Sequence, residues 1–346
     1  MSGREDDVIV VYQHLPGIFE ALKDAYPNAN IRNASLDSSE MRENASKRLF
    51  AKITPSELAV MKEADILVLS CHTLVQAMYD LPKLKWVQLL DTGLDTITYN
   101  MQKDKPRPSY VITRNIAKDI GLIMAEYVVG QVICHERSWY SSMQNQLQKT
   151  YDRGNKFALY RSLSQITIGL LGLGPMALEM AAALKHFGSR VHGFSRRAKG
   201  PNERSSLVDE FWHGDQLPSF LAECDYIVAV LPSTPETKGL LSGDVLKHAK
   251  RSPVFMNVGR GDLLSEEDIL KALDAGWISQ AILDVFEREP LPVDSALWTH
   301  PKVVITPHVA GFGNRVTSLM DCFSQNYPRY LEGKPLIGTF NWENGY

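Results

Sequence analysis

The most informative spacing lies in ITIGLLGLGPMALEMAAALKHFG, where an apolar run gives way to Gly172-Leu-Gly174-Pro-Met-Ala177 and at once to a helical pattern. Gly172 permits a tight turn, Gly174 lets a backbone approach a pyrophosphate, and small Ala177 allows a helix to pack closely on its strand. Pro175 and Met176 open that helix, whose free N–H groups and positive dipole end suit phosphates. Strand, loop and helix occur in the required order, so the segment reads as a dinucleotide site rather than a merely tight turn. About 20 residues on, an acid would bind the ribose 2′-hydroxyl of NAD. Here RVHGFSRR ends instead in Ser195, Arg196 and Arg197. Two guanidinium groups and a hydroxyl suit a 2′-phosphate, which points to NADP(H), with NAD(H) the weaker alternative. The plainer reading of those residues is a solvated basic turn. Three further residues, Arg260, Glu289 and His308, fall at or just after strand ends, where open α/β sheets place their sites. Singly they read as a loop cation, a turn acid and a capped loop histidine; their shared placement sets them apart.

These positions presuppose a particular set of elements. Short Val- and Ile-rich runs alternate with helical patterns, as parallel strands joined by crossover helices do. In the first third the strands are Val8–Val11, Ile66–Ser70, Trp86–Leu90 and Tyr110–Thr113. A longer helical stretch from Asp119 to about Met143 reads as one connector helix. Six more strands follow: Ile166–Leu171, Arg190–Phe194, Tyr226–Leu231, Val254–Val258, Ala281–Val285 and Val303–Thr306. Ser265 ahead of Glu266, Glu267 and Asp268 marks a helix start, and Gly276 its stop. A last helix is expected over about Asn314 to Leu331. With 346 residues, and domains usually running to about 100–200, the expected fold is α/β with two doubly wound, Rossmann-like parallel-sheet domains.

Downstream of the glycine loop, NVGRGDLLSEEDILKALDAGWISQAILDVFEREPLPVDSALWTHPKVVITPHVAGF resembles the signature region of the D-isomer-specific 2-hydroxyacid dehydrogenases. LLDTGLDTI near the front and AEYVVG in the connector extend the resemblance over essentially the whole chain. LPSTPETKGLL, REPLPVDSALWTHPKVVITPHVA and the closing NGY are most similar to the glyoxylate/hydroxypyruvate reductases. The resemblance implies a flavodoxin-like substrate domain over residues 1–117, completed by 309–346, with an NAD(P)-binding domain over 118–308 inserted between them. It implies reduction of small 2-keto acids to D-2-hydroxy acids, with Arg260 holding the carboxylate and polarising the carbonyl. Glu289 would be the acid paired with the histidine, and His308 the proton donor. Hydride transfer to C2 leaves an alkoxide, so a protonated imidazole and a fixed cation are the groups such chemistry needs, and a neighbouring carboxylate favours the protonated ring. The same resemblance assigns the nicotinamide carboxamide to the Val258 carbonyl and the Asp284 carboxylate, and the adenosine side to Leu231, Pro232 and Thr237. It gives the substrate carboxylate to the N–H groups of Thr92 and Gly93, in a cleft between domains. The stretch SWYSSMQNQLQKTYDRGNKFALY resembles an arm that crosses to a partner in a homodimer built through the cofactor domain.

Two departures bear on substrate choice. Phe312 stands where relatives more often carry a small hydroxyl residue, which leaves room for a reductase of bulkier acids such as phenylpyruvate, and Asp91 could repel a second negative charge. A cofactor-sensing scaffold like the corepressors of this architecture is the rival from another class; the intact trio disfavours it. Glu289 disfavours formate dehydrogenases, which carry glutamine there.

A net charge of −3, with 22% charged residues, gives no electrostatic footprint for nucleic acid. No apolar run approaches the roughly 18 residues that cross a bilayer. The opening MSGREDDVIVVYQ lacks the basic region and longer apolar run of a secretory leader. Cys71, Cys134, Cys224 and Cys322 are widely spaced without a CxxC pair, as expected of reduced thiols in a cytoplasmic protein rather than a zinc site. His72 and His135 show no metal-ligand spacing and read as structural.

Overall fold

The structure, a computed structural model, describes residues 6–12, 17–34, 52–102, 104–152 and 160–342. The closing NGY and positions 153–159 of the arm lie outside the described residues. Contacts divide the chain into two compact units, Met1–Ala117 with Asn314–Tyr346, and Lys118–Gly313. The second unit therefore continues past His308, the end expected from sequence. A local cause is visible: a Cβ added to Gly311 would lie 3.6 Å from Met124 Cγ, and one added to Gly313 would lie 2.0 Å from Ile123 Cδ1. Residues 309–313 thus pack on the helix that opens the same unit.

In the first unit β1 (Val8–Val11), α1 (Ile18–Ala25), β2 (Asn30–Asn33), α2 (Pro55–Met61), β3 (Ile66–Leu69), α3 (Cys71–Ala77), β4 (Trp86–Leu89), α4 (Asp95–Tyr99) and β5 (Val111–Thr113) succeed one another. The five strands are parallel in the order β2-β1-β3-β4-β5, the flavodoxin-like arrangement. Every residue of β3 and β4 is buried, because a parallel sheet is covered on both faces and so carries continuous apolar strands. A return helix, Arg315–Leu331, is capped by Asn314, whose side chain accepts from Thr317 N. It lays Phe323 on Trp86, ring centroids 5.2 Å apart.

The second unit runs α5 (Lys118–Glu136), α6 (Trp139–Leu147), β6 (Thr167–Leu171), α7 (Pro175–His186), β7 (Arg190–Ser195), β8 (Glu210–His213), α8 (Leu217–Ala222), β9 (Tyr226–Ala229), β10 (Val254–Asn257), α9 (Glu266–Asp274), β11 (Gln280–Leu283) and β12 (Val303–Ile305); the return helix is α10. Its seven strands are parallel in the order β12-β11-β10-β9-β6-β7-β8. The order reverses at β6, which lies between β7 and β9, so the crevice for a ligand opens at its carboxyl end. Ser265 caps α9 by accepting from Asp268 N, as the sequence indicates.

Two strands escaped the sequence reading, β2 and β8, and both are sheet edges. NIRN and EFWH are half solvated, so neither shows the buried run by which the other strands are recognised. The expected single connector helix is two helices, broken at Ser138, which takes a left-handed φ of 52°. No described helix is long and apolar enough to cross a membrane. All four cysteines are free, with Cys71, Cys224 and Cys322 buried.

His192, in the middle of β7, is buried, and among the described residues neither ring nitrogen has a hydrogen-bond partner. Burial holds its pKa below the usual imidazole range despite the opposing pull of Glu210, whose carboxylate lies 3.8 Å from Nε2. The unfolded chain therefore takes up this proton first, and stability is lost as pH falls below about 6.5, by at most about 1.4 kcal/mol per pH unit. Urea midpoints measured at about pH 7 and about pH 5.5 should show a smaller acid loss in His192→Leu than in the parent; an unchanged loss contradicts the assignment.

Candidate active site

At the carboxyl end of β6 the chain turns at Gly172, whose φ of +112° is a conformation L side chains rarely adopt. A Cβ there would also lie 3.2 Å from Leu231 Cδ2, so the glycine loop and the segment after β9 sit side by side. Gly174 caps α7 without any side-chain bond, and a Cβ on it would meet nothing within 4 Å. The first-turn N–H groups of Met176 and Ala177 have no partner within the helix. This open, donor-lined face fits a pyrophosphate, while buried Ala177 keeps the helix close to the sheet. Across the neighbouring loop, Thr237 Oγ1 donates to Pro232 O at 2.6 Å and accepts from Thr234 N at 2.8 Å. Thr237 thus ties its own loop.

At the end of β7, Ser195 Oγ donates to Arg197 O at 2.8 Å, which curls the basic turn back on itself. Arg197 forks onto Glu203, with Nη1 2.8 Å from Oε2 and Nη2 on Oε1. Arg196 Nη1 lies 3.9 Å from Glu236 Oε2. The two guanidinium groups are solvent-facing and each already has a carboxylate neighbour. Glu203 is pulled down to about 2 by the Arg197 hydrogen bonds.

β10 ends in buried Asn257, which organises the loop behind it: Nδ2 donates to Arg260 O at 2.9 Å and Oδ1 accepts from Gly259 N at 3.1 Å. Val258, 5% exposed, donates its N–H to Ala229 O at 3.0 Å. Arg260 Nη1 donates to Gly259 O at 2.8 Å. Next to it, a Cβ on Gly261 would lie 1.8 Å from the carbonyl carbon of Phe286. Only glycine lets the Arg260 loop press against the loop carrying Glu289.

That second loop holds the contact most like chemistry. Glu289 Oε2 lies 2.7 Å from His308 Nδ1, and Glu289 Oε1 accepts from Phe286 N at 3.0 Å. Burial tends to raise the Glu289 pKa. The His308 hydrogen bond and charge, the Phe286 N–H and the Arg260 charge outweigh it, and the net shift is downward. The carboxylate is thus held ionised, an acceptor for Nδ1–H, which leaves Nε2 as the ring nitrogen able to pass a proton on. His308 itself has φ +56°, and its N–H donates to Asp284 O at 2.8 Å. Sequence, structure and chemistry thus bring Arg260, Glu289 and His308 into one neighbourhood.

Asp284 does something the sequence reading did not foresee. It is 1% exposed; Oδ1 accepts from Thr306 Oγ1 at 2.5 Å and Val309 N at 2.9 Å, and Oδ2 accepts from Ala310 N at 2.9 Å. The carboxyl group clamps the loop on which His308 stands. By lone-pair count about one acceptor position remains for an amide donor such as a carboxamide.

In the first unit Thr92 and Gly93 follow β4, with Gly93 O accepting from Cys71 Sγ at 3.5 Å. Asp91 does not stand as a lone negative charge. Its Oδ2 accepts from Cys71 N at 2.6 Å and its Oδ1 lies 3.8 Å from Arg315 Nη1, so the expected repulsion of a second anionic group is offset. His135 is structural, with Nδ1 bonded to Gln280 Oε1 and its ring edge-on to Tyr226.

Residues 129–310 match the family model for the NAD binding domain of D-isomer specific 2-hydroxyacid dehydrogenases, a span that contains the glycine loop and the trio. A family member from Aeromonas salmonicida has a solved structure similar at 30% identity, covering 97% of this chain and 99% of that one, with a TM-score of 0.80. The chain belongs to the D-isomer specific 2-hydroxyacid dehydrogenases. A Xanthobacter autotrophicus member, solved with NADPH and MES, is similar at 28% identity over 99% of this chain and 100% of that one, TM-score 0.79. An NADPH-dependent glyoxylate/hydroxypyruvate reductase from Sinorhizobium meliloti, solved with NADP and sulfate, is similar at 27% over the same shares, TM-score 0.78. As a 2-hydroxyacid dehydrogenase with both parallel sheets of that fold, this protein is an NAD(P)-dependent oxidoreductase.

Sequence reasoning passed over Thr306, Asn257 and Glu203. Thr306 and Asn257 each stand within two residues of a residue that was singled out, so proximity was the available signal; for Glu203 there was none.

Proposed function

We propose that this dehydrogenase reduces small 2-keto acids of the glyoxylate or hydroxypyruvate type to D-2-hydroxy acids with NADPH, His308 supplying the proton. The observation that carries the reading is the 2.7 Å contact between His308 Nδ1 and an ionised Glu289, beside the Arg260 charge. Arg260 binds the substrate carboxylate and draws electron density from the C2 carbonyl. The nicotinamide, when bound, supplies a hydride to C2. As charge grows on the keto oxygen, His308 Nε2 releases its proton to it, and the ring is left neutral with Nδ1–H still held by Glu289. Gly172, Gly174, Pro175 and Met176 cradle the pyrophosphate, Leu231, Pro232 and Thr237 border the adenosine, and Val258 and Asp284 serve the carboxamide. Ser195, Arg196 and Arg197 take the 2′-phosphate, in keeping with the NADP complexes of the Xanthobacter and Sinorhizobium relatives. Their carboxylate partners form exposed ion pairs that solvent screening leaves weak, and a phosphate can displace them.

The arm reading gains support from α6. Trp139, Met143 and Leu147, with Tyr151 beyond, recur every fourth residue and are 51%, 63%, 78% and 90% exposed. An apolar stripe of that exposure suits a second copy of the chain, and four free thiols suit a cytoplasmic setting.

His308→Gln should lower kcat by about 10²-fold or more in NADPH oxidation assays with glyoxylate, hydroxypyruvate, pyruvate and phenylpyruvate; activity within a few-fold of the parent removes the proton-donor role. Replacing Arg196 and Arg197 together by Ala should raise KM for NADPH about 10-fold or more while NADH changes little. Equal losses for both carriers contradict the 2′-phosphate assignment. Light scattering at micromolar concentration should give about twice the 38.8 kDa chain mass, and a monomeric mass overturns the dimer.

A further inference from the structure

The loop bearing His308 is tied to a helix far away in sequence. Tyr127, on α5, places its hydroxyl 2.6 Å from Thr306 Oγ1. Thr306 gives its one hydroxyl proton to Asp284 Oδ1 at 2.5 Å, so it accepts from Tyr127, and the direction of both bonds is fixed. Gln131, one turn along α5, backs the phenol oxygen and itself accepts from Tyr140 OH. At the other end of the chain of bonds, the Asp284 carboxylate holds Val309 N and Ala310 N, and the Asp284 carbonyl holds His308 N. The backbone between those bonds is left-handed at His308, φ +56°, a strained conformation for a residue with a β-carbon that persists only where its surroundings impose it. Burial, the largest influence on the phenol, carries its pKa up to about 12, so it remains a donor across the neutral range.

We propose that Tyr127 is a positioning residue for the proton transfer: through Thr306 it fixes the Asp284 carboxylate that holds the His308 loop in its left-handed turn. The proposal rests on the His308 reading above. Its physical content is the orientation of one acceptor. With the phenol proton gone, Thr306 Oγ1 loses the donor that fixes its orientation, its bond to the buried Asp284 Oδ1 is directed less tightly, and the imidazole is aimed less tightly.

Tyr127→Phe keeps the ring and removes only the hydroxyl. It should lower kcat about 10-fold, a cost ordinary for sub-ångström misplacement of a reacting group, while KM for NADPH stays within about two-fold. Hydrogen exchange in the peptide spanning 306–312 should accelerate. Thr306→Val should give the same pair of effects, Thr306→Ser should restore them toward the parent, and Tyr127→Phe with Thr306→Val should be no worse than Thr306→Val alone, since both act through one oxygen. Parent-like kcat in Tyr127→Phe, unchanged exchange in that peptide, or multiplicative losses in the double variant each overturn the proposal. The exchange measurement needs no turnover, so it judges the loop even where His308→Gln remains active and the proton-donor reading falls.

Discussion

A carboxyl group at 1% exposure has to find donors inside the protein, because water cannot supply them. Asp284 finds three, and they come from the segment that follows β12: the Thr306 hydroxyl and the Val309 and Ala310 N–H groups. Satisfying that one side chain forces the backbone to bend sharply at His308, and the bend brings the imidazole to Glu289. The imidazole–carboxylate pair on the surface of the site is thus the visible consequence of a buried polar group completed beneath it. Asn257 plays a parallel part under the Arg260 loop, satisfying Arg260 O and Gly259 N from one amide. Two buried polar side chains at the ends of adjacent parallel strands therefore shape the loops from which the exposed groups act.

Much of this was legible in the sequence, and the residues show why. β3, β6, β9 and β10 are buried along their whole length, so their apolar runs announce them. β2 and β8 sit at sheet edges with half-solvated residues, and their pairing depends on neighbours distant in the chain. The glycine loop could be read because backbone geometry alone demands Gly172. Arg260, Glu289 and His308 could be named because the motifs around them resemble the 2-hydroxyacid dehydrogenases and follow recognisable strands. The role of Asp284 as a clamp, the tie from Tyr127, and the matching of Asp91 by Arg315 could not. Their partners lie from 22 residues away, for Asp284 and Thr306, to 179 or more, for Tyr127 and Thr306, and no periodicity in a sequence encodes which distant hydroxyl or guanidinium will close a contact. The unit boundary shifted for the same reason, through Gly313 seating against Ile123.

The basic turn after β7 illustrates a different limit. Arg196 and Arg197 were visible as charges, but their carboxylate neighbours were not: Glu203 closes back from farther along the same β7–β8 connection, and Glu236 comes from the loop after β9. Those pairs sit in water, where screening leaves them weak. They leave both guanidinium groups exposed and loosely held, so exchanging a carboxylate partner for the proposed phosphate requires little rearrangement.

The tight seat of Gly261 carries a consequence for how such a protein can diversify. A single added carbon would collide with the Phe286 carbonyl carbon at 1.8 Å, so drift at that position is closed and the spacing of its two loops is inherited unaltered. Phe312, by contrast, is 52% exposed, so packing constrains its size far less. Variation can then accumulate at exposed positions such as Phe312 while the spacing of the two loops at Gly261 is kept.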